Sequence, residues 1–156
     1  LLYPNNDKTY FYLTKRADTV KYHKGQISLP GGSKENNETL LDTALRETQE
    51  EIGIDKHEIS ILGKITPLFI PVTGFMITPF VSYISKKPKT ILDEIEVAEL
   101  LSINIRDLLN NDILNIDRDI NGSSVSIPYF SLNNHLLISF IIVEIQYNFR
   151  YNFVFI

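Results

Sequence analysis

The segment from Thr39 to Gly53 constrains the fold of this chain more than any other. At about 100° per residue, one face of a helix over this segment collects Leu41, Ala44, Leu45, Thr48 and Ile52. Thr39 is a typical N-cap residue, and Asp42 three positions on completes an approximate capping box. Gly53 stands where a left-handed residue ends a helix. We therefore predict an amphipathic helix over Thr39–Ile52 whose apolar face packs on a core.

Three glutamates lie on a neighbouring face of this helix. Glu47, Glu50 and Glu51 are spaced i, i+3 and i+4, so we expect their carboxylates to converge. Like charges at this spacing repel by roughly 0.2–0.5 kcal/mol per pair, and no lysine stands among them. Converging oxygen ligands on a rigid helix suit Mg²⁺ or Mn²⁺, whereas the alternative is a solvated acidic face.

Composition limits the remaining classes of function. With 156 residues, 44% of them apolar, the chain is expected to form a single domain over 1–156. The absence of cysteine excludes disulfides, thiolate zinc sites and cysteine nucleophiles. The net charge of −4 argues against a protein that coats nucleic acid. No apolar run is long enough to span a bilayer and no signal peptide is recognisable, so we expect an intracellular, cytoplasmic protein, monomeric or homodimeric, with no membrane partner.

Other segments give a coarse map of the chain. Strands are predicted at Thr9–Thr14, Ile59–Ile70 and Phe75–Ile84, a short helix at Ile105–Leu109, and a mobile polar loop at Asn110–Ser124. Aromatic residues alternate from Tyr147 to Phe155, which indicates a further strand within an atypical terminus, 136–156. Leu1–Tyr3 resembles the end of a strand that begins upstream, which leaves open a truncated N-terminus.

The helix belongs to a longer pattern of fixed spacing. Gly32 is followed after five residues by Glu38, and after seven more by the run Arg46-Glu47-Thr48-Gln49-Glu50-Glu51-Ile52-Gly53-Ile54. This pattern resembles the Nudix box, G-x5-E-x7-R-E-U-x-E-E-x-G-U, where U is a bulky aliphatic residue. Only Thr48 departs from it, and its hydroxyl can bond back to the carbonyl of Ala44. The resemblance implies an α/β Nudix fold, with a mixed β-sheet sandwiched between α-helices, and hydrolysis of a nucleoside diphosphate derivative with Mg²⁺ or Mn²⁺.

The same resemblance implies roles for individual residues. Glu47 and Glu51 would be the principal metal ligands, with Glu50 and the carbonyl of Gly31 as further ligands. Arg46 and Glu38 would form an ion pair that ties the loop to the helix. The base that removes the proton from water would be Glu47 or a downstream loop acid, Glu94 or Glu96.

A second stretch precedes the box and narrows the substrate. The residues His23-x-Gly25-Gln26-Ile27-Ser28-Leu29-Pro30-Gly31-Gly32, with Leu13-Thr14-Lys15-Arg16 upstream, resemble the coenzyme A pyrophosphatase branch of the Nudix family. Lys21, Ile27 and Leu29 replace the branch's arginine, valine and phenylalanine. The resemblance implies cleavage of CoA or acyl-CoA to 3′,5′-ADP and (acyl-)4′-phosphopantetheine.

Substrate contacts are expected from four residues in and before this stretch: Arg16, Lys21, His23 and Gln26. Arg16 and Lys21 could bind the 3′-phosphate of CoA, since arginine offers a planar fork and lysine a point charge. The alternative for these two cations is ordinary surface charge. For His23, a packing or hydrogen-bonding role near Gly25 is an equal alternative.

Two other functions remain open at this point. One is a Nudix hydrolase of another nucleotide, such as a dinucleotide, ADP-ribose or a nucleotide sugar. The other is a Nudix-like binding module without turnover, against which the presence of all three box glutamates argues. The last third of the chain does not resemble the branch, which usually ends with a tryptophan-glycine pair, because this chain contains no tryptophan.

Overall fold

The computed structural model describes residues 1–70, 74–120, 122–132 and 135–137. The chain forms two compact units, 1–104 and 105–156, and each is described by itself. The first unit contains helix α1 (Leu40–Ile52), a short 3-10 helix (Lys56–Glu58) and eight strands: β1 (Leu2–Asn5), β2 (Lys8–Arg16), β3 (Ile27–Ser28), β4 (Ser60–Lys64), β5 (Leu68–Ile70), β6 (Phe75–Ile77), β7 (Phe80–Tyr83) and β8 (Val97–Asn104).

Strand β2 is the centre of a six-stranded sheet. β1, β3 and β8 pair with it in antiparallel register, and β7 and β4 extend the sheet beyond β1. β1 and β7 are parallel, which confirms the predicted mixed sheet. The aromatic and β-branched residues of Thr9–Thr14 explain why β2 forms, since these types fit a pleated, half-buried surface.

The core of this unit contains a stack of tyrosine rings. Tyr3 and Tyr12 are stacked with centroids 4.4 Å apart, and Tyr10 lies on Tyr3 at 6.0 Å. The hydroxyl of Tyr3 bonds to that of Ser102 on β8. Burial raises the pKa of Tyr12 well above its usual range, and a hydrogen bond with Tyr3 adds to this. The tyrosine stack therefore joins β1 to β2, and the hydrogen bonds of Tyr3 connect it to β8 and satisfy its buried hydroxyl.

Helix α1 begins and ends as predicted. The hydroxyl of Thr39 accepts the N–H of Asp42 at 3.1 Å, and Asp42 Oδ2 accepts the N–H of Thr39 at 3.0 Å. Gly53 is left-handed at φ 71°, and its N–H donates to Gln49 at 2.9 Å. A Cβ atom at Gly53 would also lie 2.7 Å from the carbonyl oxygen of Ile91. Glycine is therefore required here both for its backbone angle and for close packing.

The buried face of α1 differs from the predicted one. Ile52 is fully buried as predicted, but Leu41, Ala44, Leu45 and Thr48 are only partly buried. Thr43 and Glu51 are the other buried residues of the helix. Thr48 does donate its hydroxyl to the carbonyl of Ala44 at 2.7 Å, as predicted. The helix is therefore turned so that part of its acidic face lies inside.

The strands predicted at Ile59–Ile70 and Phe75–Ile84 each divide in two. Pro67 separates β4 from β5, and Pro79 separates β6 from β7, since proline cannot donate to a strand ladder. β5 and β6 pair as a separate antiparallel hairpin.

The second unit contains helix α2 (Ile105–Asn110) and strands β9 (Leu114–Ile120), β10 (Ser123–Leu132) and β11 (His135–Leu137). Helix α2 confirms the short helix predicted at Ile105–Leu109. The prediction of a mobile loop over Asn110–Ser124 was wrong, because Leu114–Ile120 within this segment forms β9, which pairs with β10 in antiparallel register. Leu108 and Phe130 are fully buried in this unit. The predicted aromatic strand from Tyr147 to Phe155 lies outside the described residues. Among the described residues, no helix is long and apolar enough to cross a membrane.

Candidate active site

Arg46 joins the loop before α1 to the acidic face of the helix. Its Nε lies 2.7 Å from Glu38 Oε1, and its Nη1 lies 3.0 Å from Glu47 Oε1 and 2.7 Å from Glu50 Oε2. Its Nη2 donates to the carbonyl of Ser33 at 3.3 Å. The ion pair predicted between Arg46 and Glu38 is confirmed. One guanidinium therefore fixes the loop and offsets repulsion among the helix carboxylates.

Glu38 is held in its charged form by several donors. Besides the bond from Arg46, Glu38 Oε2 accepts the N–H of Glu35 at 3.1 Å and the hydroxyl of Thr43 at 2.9 Å. The hydrogen bond from Arg46, followed by that from Glu35, lowers the pKa of Glu38 to about 2. Glu38 is therefore ionised and links the loop before α1 to the helix through its ion pair with Arg46.

Glu47 lies against the backbone of Gly32. A Cβ atom at Gly32 would overlap the carboxylate of Glu47, so any larger residue there would move that carboxylate from its position. The Glu47 side chain is only 14% exposed. Burial raises the pKa of Glu47, while its ion pair with Arg46 opposes this and the charges of Glu50 and Glu96 add to it.

Glu51 is the most deeply buried acid of the site. It is 4% exposed, and its Oε2 has no hydrogen-bond partner. Burial raises its pKa to about 7, and the charge of Glu47 adds to the effect. The backbone N–H of Gly31 donates to its carboxylate, and the charge of Arg16 also favours ionisation. A buried carboxylate with an orphaned oxygen requires a proton or a cation to compensate it.

The carboxylates fit a hard divalent cation in their chemistry but are not gathered around one point. Glu50 is 57% exposed and turned toward Arg46, whereas Glu47 and Glu51 lie on the inner side of the helix. Across the described ranges, no group of three or more acidic or histidine side chains is arranged to hold a metal ion. The orphaned Glu51 oxygen beside Glu47 is the position where a cation has most to compensate.

The segment after Ile91 brings another acid to the site. The N–H groups of Ile91 and Asp93 donate to the carbonyls of Ile52 and Glu51 at 3.0 and 3.1 Å. The backbone then turns, and the charge of Glu96 raises the pKa of both Glu47 and Glu51. Of the two downstream acids predicted as alternative bases, Glu96 is therefore the one whose charge acts on the helix glutamates.

Arg16 begins the loop that carries the predicted substrate contacts. Its N–H donates to the carbonyl of Gln26 at 2.9 Å, and its own carbonyl accepts the N–H of Gly25 at 3.0 Å. Its Nε is buried and has no hydrogen-bond partner. The charge of Arg16 favours ionisation of Glu51, while Lys21, His23 and Gln26 are exposed on the loop.

His23 and Tyr22 are neighbours in the exposed part of this loop. His23 adopts a positive φ of 60°, and its carbonyl accepts the N–H of Gln26 at 3.1 Å, so its backbone shapes the turn. Tyr22 is 63% exposed, and Lys21 Nζ lies 5.0 Å from its ring centroid. Sequence reasoning passed over Tyr22 because it occupies a variable position of the motif. The sequence signal that could have drawn attention to Tyr22 is its position between Lys21 and Lys24, since aromatic rings and cations attract each other.

The comparison with known families decides the assignment. A model described as the NUDIX domain matches residues 1–113, a range that includes the box, the loop before it and Glu96. The chain belongs to the NUDIX domain family. The fold and the family predicted from the box are thereby confirmed.

Two curated relatives of this Nudix chain carry the name "Uncharacterized Nudix hydrolase NudL". The protein from Pectobacterium atrosepticum is 38% identical over 92 residues, which are 58% of this chain and 47% of the relative. The protein from Yersinia pestis (strain Pestoides F) is 35% identical over 99 residues, which are 63% of this chain and 49% of the relative. The chain spans about half the length of the curated relatives it matches.

Solved structures support the Nudix fold. A C. elegans Ap4A hydrolase superposes with a TM-score of 0.59 at 19% identity, covering 69% of this chain and 78% of that one. A NUDIX hydrolase from Nitrosomonas europaea gives a TM-score of 0.52 at 25% identity, covering 67% of this chain and 55% of that one. At this level of identity the C. elegans enzyme is evidence for the fold alone.

Proposed function

We propose that this chain is a divalent-metal-dependent pyrophosphohydrolase that cleaves CoA or acyl-CoA to 3′,5′-ADP and (acyl-)4′-phosphopantetheine. The observation that carries the proposal is the buried carboxylate of Glu51, which has an orphaned oxygen and lies beside the charge of Glu47. A buried carboxylate oxygen without a partner destabilises a fold, so its presence here favours a ligand at this position. Mg²⁺ or Mn²⁺ suits these oxygens.

The helix and its loop supply the metal ligands in this proposal. Glu47 and Glu51 would be the principal ligands and the Gly31 carbonyl a further one, and Glu50 would join them after turning away from Arg46, with which it pairs at 2.7 Å. Arg46 and Glu38 touch neither metal nor substrate; they hold the loop on the helix through the 2.7 Å ion pair. When bound, the metal shields the charge of a diphosphate and polarises its phosphorus atoms.

Glu96 is the base that we favour for the hydrolytic step. Water adds to one phosphorus, the bridging P–O bond breaks, and the second phosphate leaves with the bridging oxygen. The proton of the water passes to a carboxylate within reach. Glu96 is exposed and close enough to influence Glu47 and Glu51, whereas Glu47 is engaged by Arg46 at 3.0 Å.

Support for CoA comes from the stretch before the box. Arg16 and Lys21 supply cations for the 3′-phosphate, and His23 and Gln26 lie on the same loop. Arg16 has a buried nitrogen without a hydrogen-bond partner, which an anionic substrate group can satisfy. Lys21 offers a point charge rather than a bidentate fork, so its contribution to affinity is the smaller.

A substrate panel tests the proposal. The chain is incubated with Mg²⁺ or Mn²⁺ and CoA, acetyl-CoA, ADP-ribose, a dinucleotide or a nucleotide sugar, and the products are separated by chromatography. We expect CoA or its thioester to give the highest kcat/KM, and Glu51→Gln or a chelator to abolish turnover. CoA as the poorest substrate rejects the CoA assignment. Metal binding without turnover of any substrate identifies a binding module instead.

A further inference from the structure

The loop formed by residues 17–26 presents an exposed aromatic ring. Tyr22 is 63% exposed, and the ammonium of Lys21 lies 5.0 Å from the centroid of its ring. A cation over an aromatic ring is attracted to its negative face. This contact occupies one face of the Tyr22 ring, and its large exposure leaves the ring open to a ligand.

Backbone hydrogen bonds fix the base of the loop formed by residues 17–26. The hydrogen bonds of Arg16 with Gln26 and Gly25, at 2.9 and 3.0 Å, close the loop as a hairpin does. The hydroxyl of Thr19 also donates to the carbonyl of Ile95 at 2.5 Å. These three hydrogen bonds hold the loop in place, while Tyr22 remains exposed to solvent.

The base of the loop lies at the candidate active site. The N–H of Ala17 donates to the carbonyl of Glu96 at 2.8 Å. The charge of Glu96 acts on Glu47 and Glu51, and that of Arg16 acts on Glu51. The base of the loop is therefore hydrogen-bonded to the segment that carries Glu96, and that segment is bonded to α1 through the N–H of Asp93 and the carbonyl of Glu51.

The charges beside Tyr22 suit an anionic ligand. Lys21 and Lys24 flank the ring in sequence and both are exposed. Within the described part of the chain, neither lysine lies within ion-pair distance of a carboxylate. The same loop therefore offers a ring for a planar group and cations for a phosphate, a combination typical of nucleotide sites.

We propose that Tyr22 is a stacking platform for the nucleobase of the substrate, with Lys21 completing it as a contact to the neighbouring phosphate. This rests on the proposed function, because it names how the nucleoside part of a diphosphate substrate is held next to the carboxylates. Stacking depends on the flat ring and not on the phenol oxygen, so phenylalanine can replace tyrosine here.

Calorimetric titration separates the base from the diphosphate. ADP and methylenediphosphonate, a diphosphate mimic without a base, are titrated in Mg²⁺ into the wild type and into Tyr22→Ala, Tyr22→Phe and Phe69→Ala. Phe69 is 52% exposed on strand β5, outside the loop that carries Tyr22, so its variant controls for the loss of an exposed ring. We expect Tyr22→Ala to weaken ADP roughly 5- to 150-fold, which corresponds to the loss of about 1–3 kcal/mol of stacking per base. Methylenediphosphonate binding should not change, and Tyr22→Phe and Phe69→Ala should bind ADP as the wild type does.

The outcomes separate this proposal from the hydrolytic one. Unchanged ADP affinity in Tyr22→Ala overturns the stacking platform even if the wild type hydrolyses CoA. Equal weakening of ADP and methylenediphosphonate also overturns it, because the variant has then damaged the diphosphate site. ADP binding that depends on Tyr22, in a wild type that hydrolyses no diphosphate, supports the platform and rejects the hydrolase.

Discussion

The carboxylate of Glu47 fills the space that a Cβ atom on Gly32 would need. The two residues are fifteen positions apart in the sequence, and the loop carrying Gly32 is held on the helix by Arg46 through Glu38 and Ser33. Gly32 therefore sets the position of a proposed metal ligand without contributing a side chain of its own. The substitution Gly32→Ala, which adds one methyl group, therefore tests how far the position of Glu47 matters for activity.

Gly32→Ala is expected to displace Glu47 and to lower metal-dependent turnover by about 10²-fold, the order of magnitude for a misplaced group at a reacting centre. The helix should remain folded, because its caps at Thr39 and Gly53 are untouched. Turnover, Mn²⁺ titration and circular dichroism give the three readouts. Gly63→Ala is the matched control, since a Cβ atom there meets nothing within 4 Å. Equal activity in the two variants would contradict the packing of Glu47 on Gly32.

The stability of the metal-free chain should fall between pH 4.5 and pH 7. Burial raises the pKa of Glu51 from 4.5 to about 7, so the folded state binds more protons than the unfolded state within that window. The stabilisation from the raised pKa of Glu51 is therefore fully present below pH 4.5 and is lost as the pH rises through 7. At 1.36 kcal/mol per pKa unit, the free energy of unfolding falls by up to about 3 kcal/mol over this range. Urea unfolding with a chelator measures it.

Glu51→Gln removes the titrating group and should flatten this part of the pH profile. Glu94→Gln, at an exposed acid, should keep the wild-type slope. Mn²⁺ added at pH 7.5 should stabilise the wild type by mass action and leave Glu51→Gln nearly unchanged. A slope that survives in Glu51→Gln would place the titration on another group.

The box, its helix caps and the central strand could be predicted because local chemistry decides them. Thr39, Asp42 and Gly53 act through bonds to residues three or four positions away. The burial of Glu51 could not be predicted, because helical spacing favours an apolar face and the turn of the helix depends on its packing in the fold. The β9–β10 hairpin was missed because the Asn, Asp and Ser residues in 110–124 favour turns, whereas in the structure β9 pairs with the next strand along the chain.

Glu38→Gln should destabilise the chain most at neutral pH and least near pH 2. The hydrogen bond from Arg46 lowers the pKa of Glu38 from 4.5 to about 2, so its stabilising contribution is complete above pH 4.5 and is lost as the pH falls toward 2. Urea midpoints of the wild type and the variant should therefore differ at pH 7 and converge at low pH. Asp7→Gln, at an exposed turn, is the control that should track the wild type throughout. A constant difference at every pH would mean that the variant loses packing rather than charge.

Glu96→Gln tests the assignment of the base separately from metal binding. Loss of general base catalysis typically lowers the rate by about 10²–10⁴-fold, so kcat should fall by that order while KM changes little. Mn²⁺ affinity should change less than in Glu51→Gln, because Glu51 is the buried carboxylate with the orphaned oxygen. Glu94→Gln, two residues away and also exposed, should retain wild-type kcat. The pH–rate profile supplies a further readout: its acidic limb should change in Glu96→Gln if this carboxylate takes the proton, and a variant that keeps both the wild-type kcat and the wild-type limb would overturn Glu96 as the base.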